Sequence, residues 1–102
     1  MKHLYTNTND TVIATSIKDA VKVWEEWSRS EYDDSYDEFK QIDDEENVSV
    51  SIEGYEGKPD KGNLVIPKEH SVEESFGNFI FTTRSKNWAK SNKRCFFSSD
   101  DF

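Results

Sequence analysis

Residues 16–28 admit one reading. Ser16-Ile17-Lys18-Asp19 has the form of a capping box, with Asp where Glu is usual. Behind it, Ile17, Ala20, Val21, Trp24 and Trp27 recur at helical spacing, while Lys18, Lys22, Glu25, Glu26 and Arg29 occupy the other side. Lys22 and Glu26 form an i,i+4 pair. The pattern predicts an amphipathic helix over about 17–28, with both tryptophans on a stripe that faces a core. The rest of the chain must give that stripe something to cover.

Apolar material is scarce, with 33% of the residues apolar and 33% charged, a balance that leans towards disorder. Three Trp, four Tyr and seven Phe oppose it, because each aromatic ring buries a large area. The expectation is a single domain, 1–102, built on an aromatic core.

Strand signals surround the helix. His3–Thr6 and Thr11–Thr15 are β-rich, and Asn7-Thr8-Asn9-Asp10 between them is turn chemistry, so a hairpin is expected. Phe39–Ile42 begins a strand, Asp43–Asn47 is a charged turn, and Val48–Ile52 alternates with period two. Gly54, Gly57, Pro59 and Gly62 mark 54–63 as a loop or hairpin connection. Leu64–Ile66 reads as a buried strand ended by Pro67. Ser71-Val72-Glu73-Glu74 matches a second capping box and predicts a short helix over Val72–Phe76. Phe79–Thr83 is a strand. Ser85 caps a last helix carrying Trp88 and Ala89, Asn92 stops it, and Cys95–Ser98 is a final strand. Glu31–Phe39 is open between a short helix and an aromatic-anchored loop. The order ββαβββαβ predicts an α+β fold: a small, mostly antiparallel sheet packed with one dominant amphipathic helix and one or two short ones.

Catalytic patterns are missing from the sequence. His3 and His70 have no partners at metal-ligand spacing. Asp33, Ser35 and Asp37 start like a calcium loop, but Glu38 stands where Gly is required and Asp44 where a bidentate Glu is usual. There is no phosphate-binding glycine loop, no G-x-S-x-G and no nucleophile with a recognisable base. Cys95, the one cysteine, allows no intramolecular disulfide. Its neighbours Lys93 and Arg94 could lower its pKa, but the apolar run Phe96-Phe97 after it favours a buried structural thiol. No apolar run has the length of a membrane span, and Met1–Tyr5 has no signal-like apolar region. The reading is a non-enzymatic, cytoplasmic protein with no cofactor, no metal and no membrane partner.

Charge is the most unusual feature. The whole chain carries −8. Between Glu25 and Gly57, 13 carboxylates face only Arg29 and Lys40, a local charge of −11. Arg84, Lys86, Lys90, Lys93 and Arg94 form a basic stretch with no acid between them. Within the acidic segment the candidate partner-binding residues are Glu31, Tyr32, Asp33, Asp34, Tyr36, Asp37, Glu38, Asp43, Asp44, Glu45 and Glu46. Carboxylates steer association with a basic surface, and Tyr32 or Tyr36 would anchor it. The alternative is a solvated acidic face with its aromatics turned into the core. The basic stretch with Trp88 allows a second function, nucleic-acid binding by an accessory or structural protein. Its alternative is an ordinary solvated helix face, and direct nucleic-acid binding is not expected of a chain at −8.

Two stretches carry a resemblance. Thr11-Val12-Ile13-Ala14-Thr15-Ser16-Ile17-Lys18-Asp19-Ala20 is a strand running into a capped helix. Asn87-Trp88-Ala89-Lys90 and Cys95-Phe96-Phe97-Ser98-Ser99-Asp100-Asp101-Phe102 form the second stretch. Together they resemble small phage- and prophage-encoded accessory proteins, with Asn92-Lys93-Arg94 where that class has glycines. The resemblance implies an anti-CRISPR or anti-restriction type of inhibitor, possible nucleic-acid mimicry, and a host nucleic-acid-handling defence protein as the target.

Overall fold

A computed structural model describes residues 1–33, 37–55, 58–59 and 64–99. The expected hairpin is present as β1 (His3–Thr6) and β2 (Asp10–Ala14), paired from His3↔Ala14 to Thr6↔Thr11. Asn7 makes the turn: its Oδ1 accepts from the amides of Asn9 at 3.0 Å and Asp10 at 2.7 Å. Helix α1 follows at Ile17–Ser28. Ser16 Oγ accepts from the Asp19 amide at 3.0 Å, as a capping box requires. The Asp19 carboxylate instead accepts from the Thr15 amide at 2.9 Å and hydroxyl at 3.1 Å, one residue upstream of the usual return contact. Arg29, at φ 57°, closes the helix in the left-handed region.

A short β3 (Lys40–Gln41) pairs with β1, and the chain continues through β4 (Asn47–Tyr55), β5 (Lys58–Pro59), β6 (Ser71–Ser75), β7 (Asn78–Arg84), α2 (Ser85–Ser91) and β8 (Cys95–Ser99). The strands form two four-stranded antiparallel sheets, β3-β1-β2-β8 and β5-β4-β7-β6. The fold is therefore α+β with helices of 12 and seven residues, and two sheets replace the single small sheet expected from sequence.

The first sheet is covered on both faces. Tyr5, Val12 and Ala14 pack with Ala20 and Val23 of α1 and with Phe39. Leu4 and Ile13, on the opposite face, pack with Trp88 and Ala89 of α2 and with Ile52 and Phe81 of the second sheet. Four consecutive residues of β2, Thr11–Ala14, are consequently buried, a pattern that needs a covering layer on each side. The second sheet has one covered face: Val48, Val50 and Ile52 point inward while Ser49, Ser51 and Glu53 are exposed. Trp88 joins the layers. It is 0% exposed, its Nε1 donates to the Val48 carbonyl at 2.9 Å, and its ring meets Phe97 edge-on at 5.3 Å.

Four sequence expectations need correction. Residues 72–76 are not helical: Ser71–Ser75 is strand β6, hairpinned to β7 through Phe76 and Gly77. The capping-box match has no apolar helical run behind it, and Gly77 is a turn residue that interrupts it. Leu64–Ile66 is not a strand. It is held by one side chain, because buried Asn92 donates through Nδ2 to the Val65 carbonyl at 2.9 Å and accepts through Oδ1 from the Val65 amide at 2.8 Å. Arg84, not Ser85, is the N-cap of α2; the Ser85 hydroxyl donates to the Asp43 carbonyl at 2.5 Å. Trp27 is not core. Deepest contact on α1 follows Ala20 and Val23, whereas Trp27 is 53% exposed on the last turn and stacks on Phe96 at 3.7 Å. The 54–63 connection lies mostly outside the described residues.

Trp88→Phe keeps most of the ring volume and strands the Val48 carbonyl. It is expected to cost about 2 kcal/mol in urea unfolding. Trp88→Ala is expected to cost about 3–5 kcal/mol, a large part of the stability of a domain this size. A Trp88→Phe loss near zero would show that the hydrogen bond contributes nothing.

Candidate partner-binding surface

The acidic segment is a strap laid along β1. At one end Asp37 Oδ2 accepts from the Thr8 amide at 2.9 Å. In the middle Lys40 pairs with Thr6 and Gln41 with Tyr5, and the Ile42 amide donates to the Leu4 carbonyl at 2.8 Å. At the other end Asp44 Oδ1 lies 2.9 Å from His3 Nδ1. The strap is fixed by its apolar residues. Phe39 is buried in the α1 core, and Ile42 packs against the opposite core. Glu38, Asp43, Glu45 and Glu46 are left exposed. Asp43 also shapes the turn that follows, its Oδ1 accepting from the Glu45 amide at 2.9 Å.

Tyr32 is packed, not displayed. Its ring meets Trp24 and Phe39, each at 5.0 Å, its hydroxyl donates to the Asp37 carbonyl at 2.8 Å, and Asn7 Nδ2 donates to that hydroxyl at 3.0 Å. The Tyr32 amide donates to Glu25 at 3.0 Å. Among the described residues, 31–33 and 37–39 are in neither helix nor strand, so of the two readings left open for Glu31–Phe39 the aromatic-anchored loop describes these parts. Glu31 and Asp33 are exposed beside Tyr32. Asp34 and Tyr36 lie outside the described residues.

The basic stretch folds back onto the acids. Glu45 receives Arg84 Nη1 and Lys86 Nζ, both at 2.6 Å. Lys86 lowers the Glu45 carboxyl below its ordinary range, with Arg84 adding to the effect. Arg94 grips Asp19 with a two-pronged contact, Nη2 to Oδ1 at 2.6 Å and Nε to Oδ2 at 2.8 Å, tying β8 to the start of α1. Three of the five basic residues are thus committed within the chain, and Lys90 and Lys93 remain outward. Asp19 and Glu45 are held in ion pairs with these basic side chains, and Asp44 is held by His3.

Burial pushes the Cys95 thiol up, against a smaller opposing effect of Lys2, so Lys93 and Arg94 do not activate it. Among the described residues no group of three or more His, Cys, Asp or Glu is placed to hold a metal ion, and no helix is long and apolar enough to cross a membrane. No family model, no curated protein and no solved structure matches this chain.

The Asp19–Arg94 clamp sets an acid limb. The Arg94 contact, helped by Thr15, holds the Asp19 carboxyl down at about 2 against an ordinary 3.8. The folded protein therefore binds fewer protons than the unfolded chain across that window. The stabilisation is complete above the ordinary value and fades as pH falls through the depressed one. Asp19→Asn is expected to cost about 1–2 kcal/mol at neutral pH and to shrink that loss towards zero by about pH 2. Thermal unfolding across this range checks it; a pH-independent loss would assign the effect to helix capping alone.

Proposed function

We propose that this protein is a non-catalytic acidic inhibitor that occupies the basic nucleic-acid-binding surface of a host defence protein, in the manner of phage-encoded anti-CRISPR and anti-restriction proteins. The observation that carries this reading is the strap: its apolar residues lock it to β1 while Glu38, Asp43, Glu45 and Glu46 stay exposed. The exposed acids stand in two groups, Glu38 before the β3 segment and Asp43, Glu45 and Glu46 in the turn after it. A further support is the inequality of the charges. The basic stretch neutralises Glu45 and reaches Asp19, but Glu31, Glu38 and Glu46 are exposed and make no ion pair among the described residues. The committed Arg84, Lys86 and Arg94 weigh against a nucleic-acid-binding role for the same stretch. The reading places the protein in the host cytoplasm.

Displacement of a fluorescent duplex from a panel of CRISPR effectors and restriction nucleases tests the proposal. Displacement is expected for at least one member and should weaken steeply between about 50 and 200 mM salt. Glu31→Lys, Glu38→Lys and Glu46→Lys together are expected to abolish it without unfolding the protein. Asp44 and Glu45 are unsuitable for this purpose because they hold His3, Arg84 and Lys86. No displacement across the panel, or displacement indifferent to salt, would overturn the proposal.

A further inference from the structure

The turn between β6 and β7 carries a feature unrelated to the strap. Phe76 is 104% exposed, the most exposed large apolar side chain in the described residues. It sits at φ 50°, followed by Gly77 at φ 83°, so both central residues of the two-residue turn are left-handed. That geometry suits Asn or Gly at the first position and disfavours a bulky residue. The chain thus holds an aromatic ring in solvent at a place where both hydration and backbone preference oppose it. Strain of this kind persists where function requires it.

Beside the ring lies a strand edge. All five residues of β6 are exposed, and β6 ends its sheet. In a two-residue hairpin the pair flanking the turn, Ser75↔Asn78, exchanges its backbone bonds, and the pattern alternates from there. Ser71, Glu73 and Ser75 therefore direct backbone groups to β7, and Val72 and Glu74 direct theirs outward. The open edge offers a ladder at Val72 and Glu74. Val72, 51% exposed, stands on the inner face, and Glu73 stands on the outer face between two serines. Neither Glu73 nor Glu74 makes an ion pair among the described residues.

We infer that β6 and Phe76 form a second docking surface, which captures an extended partner segment by strand addition. The partner alternates basic residues, facing Glu73, with apolar residues that cover Val72 and meet the Phe76 ring. Charge complementarity selects it over a second copy of this chain. Both copies of this chain carry −8, so pairing this edge with itself works against the net repulsion of the two molecules, whereas a basic segment is attracted. The inference does not depend on the strap or on nucleic-acid mimicry.

Fluorescence anisotropy with labelled Arg-Val-Arg-Val-Arg-Val, with its Glu-Val counterpart and with an Arg-Val peptide N-methylated at alternate amides tests it. The Arg-Val peptide is expected to bind, the Glu-Val peptide not to, and N-methylation to weaken binding at least tenfold by removing ladder donors. Phe76→Asn is the decisive variant, since it removes the ring and installs the residue this turn prefers. It is expected to lower affinity about tenfold while leaving Tm unchanged or higher. Failure of the Arg-Val peptide to bind, binding that survives N-methylation, or a Phe76→Asn variant with full affinity would overturn the inference. Light scattering that shows a dimer dissolved by Phe76→Asn would overturn it as well, by making a second copy the occupant.

Discussion

A chain this poor in apolar residues cannot afford two independent cores, and the β1–β2 hairpin is where it avoids the need for them. Leu4 and Ile13 serve one apolar cluster while Tyr5, Val12 and Ala14, their sequence neighbours, serve the other. Burying both faces of one short hairpin gives each apolar residue a full set of neighbours. The arrangement demands a cover on each side. Helix α1 supplies one, and Trp88 with the inner face of the second sheet supplies the other. Trp88 is buried with its one polar group bonded to Val48, so it contributes its full area without an unsatisfied donor.

The same economy shapes the charged surface. The strap from Asp37 to Asp44 closes the β1 edge through Phe39 and Ile42, and its acids are a by-product of where those two residues must sit. The beginning of α2 then meets the strap's end. The Ser85 and Lys86 amides donate to the Glu46 and Asp44 carbonyls at 2.8 and 3.1 Å, and Arg84 and Lys86 reach Glu45. Charges that stand far apart in sequence are thus spent partly on holding the two sheets together. What remains negative is the outward row, and it is this remainder that a basic partner would meet.

Much of the framework was legible because it is local. The α1 stripe, the Asn7 turn and the period-two run of β4 each rest on neighbours a few residues apart. What was not legible is long-range. Nothing local to Leu64–Ile66 reveals that Asn92 would stand in for a strand partner. The opposite signs of the acidic and basic stretches are the available hint that Arg84, Lys86 and Arg94 turn inward to acids. Residue type suggests Tyr32 as an anchor, but Trp24 and Phe39 claim its ring. Before Phe76, Ser71-Val72-Glu73-Glu74 imitates a helix start, and only the pairing of β6 with β7 exposes the turn.

Hydrogen exchange by mass spectrometry on the protein, alone and bound to whichever nucleic-acid-binding protein it displaces from DNA, reads which surface is covered. Slowed exchange is predicted in the strap, residues 37–46, with α2 unchanged. Protection confined to residues 84–94, with the strap exchanging as in the unbound protein, would contradict the account.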